Sequence, residues 1–258
     1  MNRILAVMVV ASLAATVYAD LRILPLGDSL TGGFHDGPTS GYRYVVEQHL
    51  LNQGIDYDFL GSQSRGAPAM LDPQHEGRAG WTIEQIATID VASFLPDVVL
   101  LMAGTNNHWH DPDYDEFHAR YTTLFDAIGN VPTYVATLPG FGYPRPSKIY
   151  WTEDWVAERN EVRFPLMNQV INDIAATRSN VTVVDFASAF DVDSHLISDQ
   201  VHLNNEGQQL LGTMFAQQMG ITAVPEPSAF YFFSVAGAAL LGWRKLSAIM
   251  RPGERNSC

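Results

Sequence analysis

Cysteine is nearly absent. The single thiol, Cys258, is the last of 258 residues, so the body of the chain can form no internal disulfide and offers no thiol nucleophile. A domain without such staples needs a core of its own, and this length allows one. Positive charge is also scarce: 15 Lys and Arg stand against 28 Asp and Glu, a formal net charge of −13. That balance repels phosphate and argues against nucleic acid as a partner; it suits solubility outside a cell. No internal repeat is visible. With 47% hydrophobic and 17% charged residues, the composition is that of a globular protein, not a disordered one.

The two ends differ from the middle. Arg3 precedes an apolar run from Ile4 to Ala15, and Val17-Tyr18-Ala19 puts small residues where a signal peptidase cuts. Residues 1–19 therefore read as a secretory signal, with cleavage before Asp20. At the other end Pro225-Glu226-Pro227 is followed by an apolar run, 229–243, and then by Arg244 and Lys245. Fifteen residues at ~1.5 Å each fall short of the ~30 Å hydrocarbon core. Snorkelling of the two basic residues would narrow that gap. This order resembles the PEP-CTERM sorting signal of Gram-negative bacteria that produce extracellular polysaccharide. The resemblance implies recognition and processing of the 224–258 tail by an exosortase, with only transient contact with the membrane. The expected location is then the cell surface, periplasm or extracellular matrix, and 20–223 is the working domain.

Within that domain, apolar runs alternate with helical spacing. Leu21–Leu26, Tyr57–Leu60, Asp97–Ala103, Val131–Leu138 and Val181–Phe186 read as buried strands. Tyr42, Val45, Val46 and Leu50 recur at helical spacing and stop at Gly54. Thr82 and Gln85 form a capping-box pattern. Further helices are expected over about 113–128, over 155–176 with a kink or break at Pro165, and around Leu210–Phe215. Strands alternating with helices predict a three-layer α/β/α domain on a parallel five-stranded sheet of flavodoxin-like order. Residues 139–152, rich in Pro, Gly and aromatics, read as a loop over a site.

Four polar segments fall where strand ends or helix starts face one rim: Gly27-Asp28-Ser29-Leu30, Gly80-Trp81, Gly104-Thr105-Asn106 and Asp199–His202. A serine hydroxyl becomes a useful nucleophile only when a base takes its proton, and that base needs an orienting carboxylate. Asp199 and His202 supply both within one turn of chain. An oxyanion needs fixed donors, which a backbone N–H after a strand, a glycine N–H and an asparagine amide can supply. His195, near Asp191 and Asp193, is the second candidate for the base. His108 and His110 form an H-x-H pair that a metal would need a third ligand to use. Ser29 could instead be only a helix cap.

The blocks GDSLTGG (27–33), GRAGW (77–81), GTNN (104–107) and DQVH (199–202) resemble the SGNH (GDSL-type) hydrolases in identity, order and spacing. That resemblance implies Ser29 as nucleophile, His202 as general base oriented by Asp199, and an oxyanion hole from the Ser29 and Gly80 N–H groups and the Asn106 amide. It implies neither metal nor organic cofactor. The third block departs from the family's common Gly-Thr-Asn-Asp, with Asn107 in the last place, which changes the local hydrogen bonding. The stretch His75–Ile83 looks most like the carbohydrate acetyl esterases of the family. With the sorting signal, it points to O-acetyl groups on a polysaccharide as substrate. A lipase or lysophospholipase and a non-catalytic glycan-binding protein are the alternatives. The first lacks apolar helices framing the site, and the second has no use for a complete Ser-Asp-His set.

Overall fold

The computed structural model describes residues 20–33, 41–66, 68–109, 111, 113–143 and 151–221. The expected leader (1–19) and the sorting tail with its apolar run (229–243) lie outside the described residues. So does the middle of the 139–152 loop. Among the described residues no helix is long and apolar enough to cross a membrane.

In chain order the elements are β1 (Leu21–Gly27), α1 (Ser29–Gly32), α2 (Tyr42–Gln53), β2 (Tyr57–Phe59), β3 (Gln63–Ser64), β4 (Gln74–Gly77), α3 (Ile83–Ile86), α4 (Val91–Phe94) and β5 (Val98–Met102). After a 3₁₀ turn over Thr105–Trp109 come α5 (Tyr114–Ile128), β6 (Thr133–Ala136), α6 (Glu153–Glu158), a π-helical turn (Arg159–Arg163), α7 (Phe164–Thr177), β7 (Val181–Val184), α8 (Phe186–Ala189) and α9 (Asn205–Gln218).

Strands β2, β1, β5, β6 and β7 lie side by side in that order, all parallel. This is the flavodoxin-like order, but the five-strand expectation is incomplete. The short β4 pairs in parallel with the last two residues of β1, Leu26 with Glu76 and Gly27 with Gly77, while β2 pairs with its first three. An antiparallel β3 then flanks β4. One edge of β1 is thus shared between two strands, and β4 brings the segment carrying Gly80 to the end where Ser29 emerges.

Side chains alternate across the sheet as a period of two requires. Leu24 and Leu26 of β1 and Val99 and Leu101 of β5 join a core with Ile83, Val91, Phe117, Tyr121, Met167 and Val170, so α3, α4, α5 and α7 cover that face. Ile23, Val98, Leu100 and Met102 point the other way, onto Tyr42, Val46, Leu50, Leu211 and Phe215 of α2 and α9. Every residue of β5 is buried, which accounts for its unbroken apolar sequence.

Pro165 leaves a distinct mark. A proline inside a helix removes one N–H and pushes its ring into the preceding turn. Here the chain widens into the π turn Arg159–Arg163 immediately upstream, with Phe164 N–H reaching the Arg159 carbonyl, and Pro165 follows in the first turn of α7. The expected break is therefore a widened turn between two helices that continue one another.

Candidate active site

The site starts from crowding at the end of β1. Gly27 has φ +157°, and a β-carbon there would lie 2.0 Å from the Met102 carbonyl oxygen on β5, so only glycine fits. The next N–H, of Asp28, donates to that same Met102 oxygen at 3.3 Å, and the Gly27 carbonyl accepts from Arg78 N–H at 2.8 Å. Held from both sides, the chain turns. The Asp28 Oδ1 accepts from Leu30 N–H at 2.9 Å and caps α1, whose first residue is Ser29. A first-turn N–H such as that of Ser29 has no partner within its own helix, which makes it a donor that an oxyanion could take. The buried Arg43 guanidinium donates to the carbonyls of Thr31 and Gly32 and also to those of Pro73 and Arg65. It pins α1 to the β3–β4 hairpin.

His202 arrives from the other end of the sequence. Its Nε2 lies 3.0 Å from Ser29 Oγ and its Nδ1 2.6 Å from Asp199 Oδ2. A carboxylate only accepts, so Nδ1 carries the proton and the Nε2 lone pair faces the serine hydroxyl. The other Asp199 oxygen accepts from the N–H groups of Val201 and His202, both at 2.9 Å. Partial burial pushes the Asp199 carboxyl up, but the His202 ring and these two N–H donors outweigh it and hold the group well below the usual carboxylate range. It stays ionised wherever the imidazole has work to do.

The loop carrying this pair is clamped. Ile197 N–H donates to the His202 carbonyl, and Asn204 N–H to that of His195, both at 2.9 Å. Gln200 sits in the left-handed region at φ +66°, and its carbonyl accepts from Gly142 N–H at 3.0 Å. That contact links the loop to α7. Asn160 exchanges both amide hydrogen bonds with the backbone of Phe141, and Asn168 does the same with Leu138. The described start of the 139–152 segment is therefore a rigid strut behind the Asp199–His202 turn.

The remaining segments tie to one another. Gly80 has φ +79° in the turn before α3, with open space where a β-carbon would be. Asn106 Nδ2 donates to the Trp81 carbonyl at 2.8 Å. An amide NH₂ has two donors, so the second is the one a substrate oxygen would take. Asn107, fully buried, accepts from Ile83 N–H and donates to Glu84 Oε2, each at 2.9 Å. The first bond serves the start of α3. An aspartate at 107 could accept from Ile83 but would set a second carboxylate against Glu84. The asparagine is thus matched to its partner, which the sequence alone did not disclose.

Other candidates lie elsewhere. His195 Nδ1 accepts from Asp191 N–H at 2.9 Å, while the Asp191 carboxylate is taken up by Asp193 N–H and the Ser194 hydroxyl. That turn is a local structure and does not deliver an imidazole to Ser29. His108 is buried, with its Nδ1 2.6 Å from the Thr105 carbonyl and its ring against Trp109, Phe141 and Trp155; His110 lies outside the described residues. Among the described residues no group of three or more His, Cys, Asp and Glu could hold a metal ion. His75 is buried near α1, and its burial, with Arg43, Arg78 and Arg65 nearby, lowers its pKa to about 3, so the ring stays neutral.

Asp28, which stands beside the serine in the first block, carries no sign in the sequence of its chemical state. It is fully buried, and burial pushes its pKa up to about 6, against the opposing pull of Leu30 N–H, Thr105 and His202. The folded chain therefore holds this proton to about pH 6, whereas an unfolded chain releases it near 3.8. Between those values the folded state binds more protons, so stability falls as pH rises, at ~1.4 kcal/mol per pH unit and about 3 kcal/mol in all. Asp28→Asn keeps the acceptor for Leu30 but does not titrate. Its stability relative to the unsubstituted protein should rise by about 2.4 kcal/mol between pH 4 and pH 7. Urea unfolding at both pH values checks this; a difference independent of pH would mean that Asp28 is ionised in the fold.

Comparisons with known proteins bear on the family and the fold. The profile of the GDSL-like Lipase/Acylhydrolase family matches residues 26–210. A multidomain esterase of Ruminococcus flavefaciens is 26% identical over 231 residues, which are 77% of this chain but 28% of that protein. The chain thus spans less than a third of the length of that curated relative. Among solved structures, a Clostridium thermocellum family 3 carbohydrate esterase aligns with a TM-score of 0.60 at 26% identity, over 77% of this chain and 94% of its own. A family 3 carbohydrate esterase from Talaromyces cellulolyticus shares the fold at 23% identity and a TM-score of 0.61, over 80% and 100% of the two chains. The matched span runs from the end of β1 into α9 and so holds Ser29, Gly80, Asn106, Asp199 and His202 together: the chain belongs to the GDSL-like lipase/acylhydrolase family, a family of ester hydrolases.

Proposed function

We propose that this protein is an exported serine esterase that removes O-acetyl groups from a polysaccharide through an acyl-enzyme intermediate. The observation that carries the chemistry is the hydrogen-bonded line Asp199–His202–Ser29, with contacts of 2.6 and 3.0 Å. Ser29 Oγ attacks the acyl carbonyl while His202 Nε2 takes its proton. The developing oxyanion is received by the Ser29 and Gly80 N–H groups and the Asn106 amide. His202 then returns the proton to the departing sugar hydroxyl, leaving an acetyl ester on Ser29. A water deprotonated by His202 attacks that ester and releases acetate, restoring the serine. Asp199 stays ionised throughout and stabilises the transient imidazolium.

The acetyl-on-glycan part rests on the likeness of His75–Ile83 to carbohydrate acetyl esterases and on relatives that are themselves carbohydrate esterases. Acetylated xylan and p-nitrophenyl acetate, beside a long-chain p-nitrophenyl ester, test it. Turnover confined to the long-chain ester would replace this reading with a lipase. Ser29→Ala and His202→Ala should each lower kcat by roughly 10⁴-fold or more with unchanged circular dichroism, while His195→Ala stays within about threefold. Equal losses in the two histidine variants would remove His202 from its role.

Export and tail processing complete the proposal, supported by the charged start with its apolar run and by the Pro-Glu-Pro segment. Protein isolated from its host should lack residues 1–19 and the residues after the Pro-Glu-Pro, as read by mass spectrometry. A mature chain running from Met1 to Cys258 would contradict both.

A further inference from the structure

Three residues beyond Asn106, at the end of the same 3₁₀ turn, stands Trp109. In a 3₁₀ helix residues i and i+3 eclipse, at ~2 Å of rise per residue. Asn106 and Trp109 therefore share one face of the turn, about 6 Å apart along its axis. The neighbours within the turn, Thr105, Asn107 and His108, are buried, whereas Trp109 is 65% exposed. An isolated exposed tryptophan would mean little; this one is built in. Its ring centroid lies 4.6 Å from that of His108 and 5.5 Å from that of Trp155. The Arg159 guanidinium, 3.6 Å from the Trp155 ring centre, is 5.9 Å from that of Trp109. Behind these, Trp155 stacks on Trp151 and Phe141 within 18° of parallel. A layered aromatic block thus fixes the orientation of an indole whose own surface is mostly left to water. The block behind the ring accounts for its orientation, while the exposed part of the ring has no protein contact to account for it.

We infer that Trp109 is the sugar-binding platform of this enzyme, stacking against a pyranose ring of the glycan while the acetyl group carried by that glycan enters the Ser29 site. The inference rests on the deacetylase reading and names a specificity-determining side chain for it. The face of a pyranose that carries axial C–H bonds is weakly positive and apolar, and the indole π face is its complement. On the shared face of the turn Trp109 lies about 6 Å along the axis from Asn106, so a sugar stacked on it would carry its ester toward the Asn106 amide. A rigid, pre-oriented ring also spares the entropy of fixing a mobile side chain on binding.

The test separates this inference from the function it builds on. With acetylated xylo-oligosaccharides, Trp109→Ala should raise KM about tenfold, a loss of ~1.4 kcal/mol in binding, with kcat changed less than twofold. Its kcat/KM on p-nitrophenyl acetate should equal that of the unsubstituted protein, and Trp109→Phe should recover most of the loss on the oligosaccharide. Equal losses on both substrates would reduce Trp109 to a prop for Asn106, and a loss confined to long-chain esters would make it part of an acyl groove; either overturns the platform. A second measurement needs no turnover. Titrating xylo-oligosaccharide into Ser29→Ala should change tryptophan emission, and the change should vanish when Trp109→Phe is added. No such difference overturns the platform, even if the deacetylase reading holds. A clear difference in a protein that does not turn over the glycan supports the platform and discards that reading.

Discussion

The end of β1 has no room for a side chain. Gly27 is pressed against the Met102 carbonyl of β5 on one side, and on the other its own carbonyl is bonded to Arg78. Two segments remote in sequence are thereby fixed against the residue that precedes the Asp28-Ser29 turn. From this contact the rest of the site follows in order. β4 carries the chain to Gly80 and Trp81, β5 carries it to Asn106 and Asn107, and the two are joined by the bonds from Asn106 to Trp81 and from Asn107 to Ile83 and Glu84. A parallel sheet brings the carboxyl ends of its strands to one rim; here the backbone at that rim is also cross-linked, so the donors keep their places with no substrate present.

The basic end of the site is held differently. Asp199 and His202 lie on a turn, not on a strand, and a turn alone would not hold an imidazole to the tolerance that proton transfer needs. The widened helix at Pro165 supplies the support. It presents Asn160 and Asn168 to the Leu138–Phe141 backbone, and Gly142 at the end of that backbone holds Gln200. Gln200 itself has a backbone conformation that costs about 1 kcal/mol for an L-residue. It persists because the bonds around it leave the turn no alternative. Two carboxyl groups near the serine are shifted in opposite directions for clear reasons: Asp199 is rich in donors and stays ionised, while burial of Asp28 makes it hold its proton to about pH 6.

Much of the fold was legible because local chemistry and global placement agreed. Gly54 ends α2 in the left-handed conformation, Asp113 caps α5, and Gln85 reaches back to the Thr82 N–H at the start of α3. The apolar runs marked the five parallel strands, most plainly β5, which is buried throughout, while β2 and β7 at the edges are only partly buried. The hairpin of β3 and β4 escaped notice because Gln63-Ser64 and Gln74–Gly77 are short and largely polar; they are strands only because β1 offers an open edge there. The four blocks located the rim. The supports behind it were illegible, since the value of Asn160, Asn168, Gln200 or Asn107 lies in a partner distant in sequence. Trp109 was hidden for a similar reason: nothing in Asn107-His108-Trp109 shows which ring is buried and which is left at the surface.

The account depends on Ser29 being the atom that takes the acyl group. Intact-protein mass spectrometry after exposure to a p-nitrophenyl phosphonate measures that directly. One phosphonyl group per chain should appear, with fragmentation placing it on Ser29, and His202→Ala should slow the modification by orders of magnitude because the proton then has no acceptor. A label on any other residue, or one that forms equally fast without His202, would contradict the account.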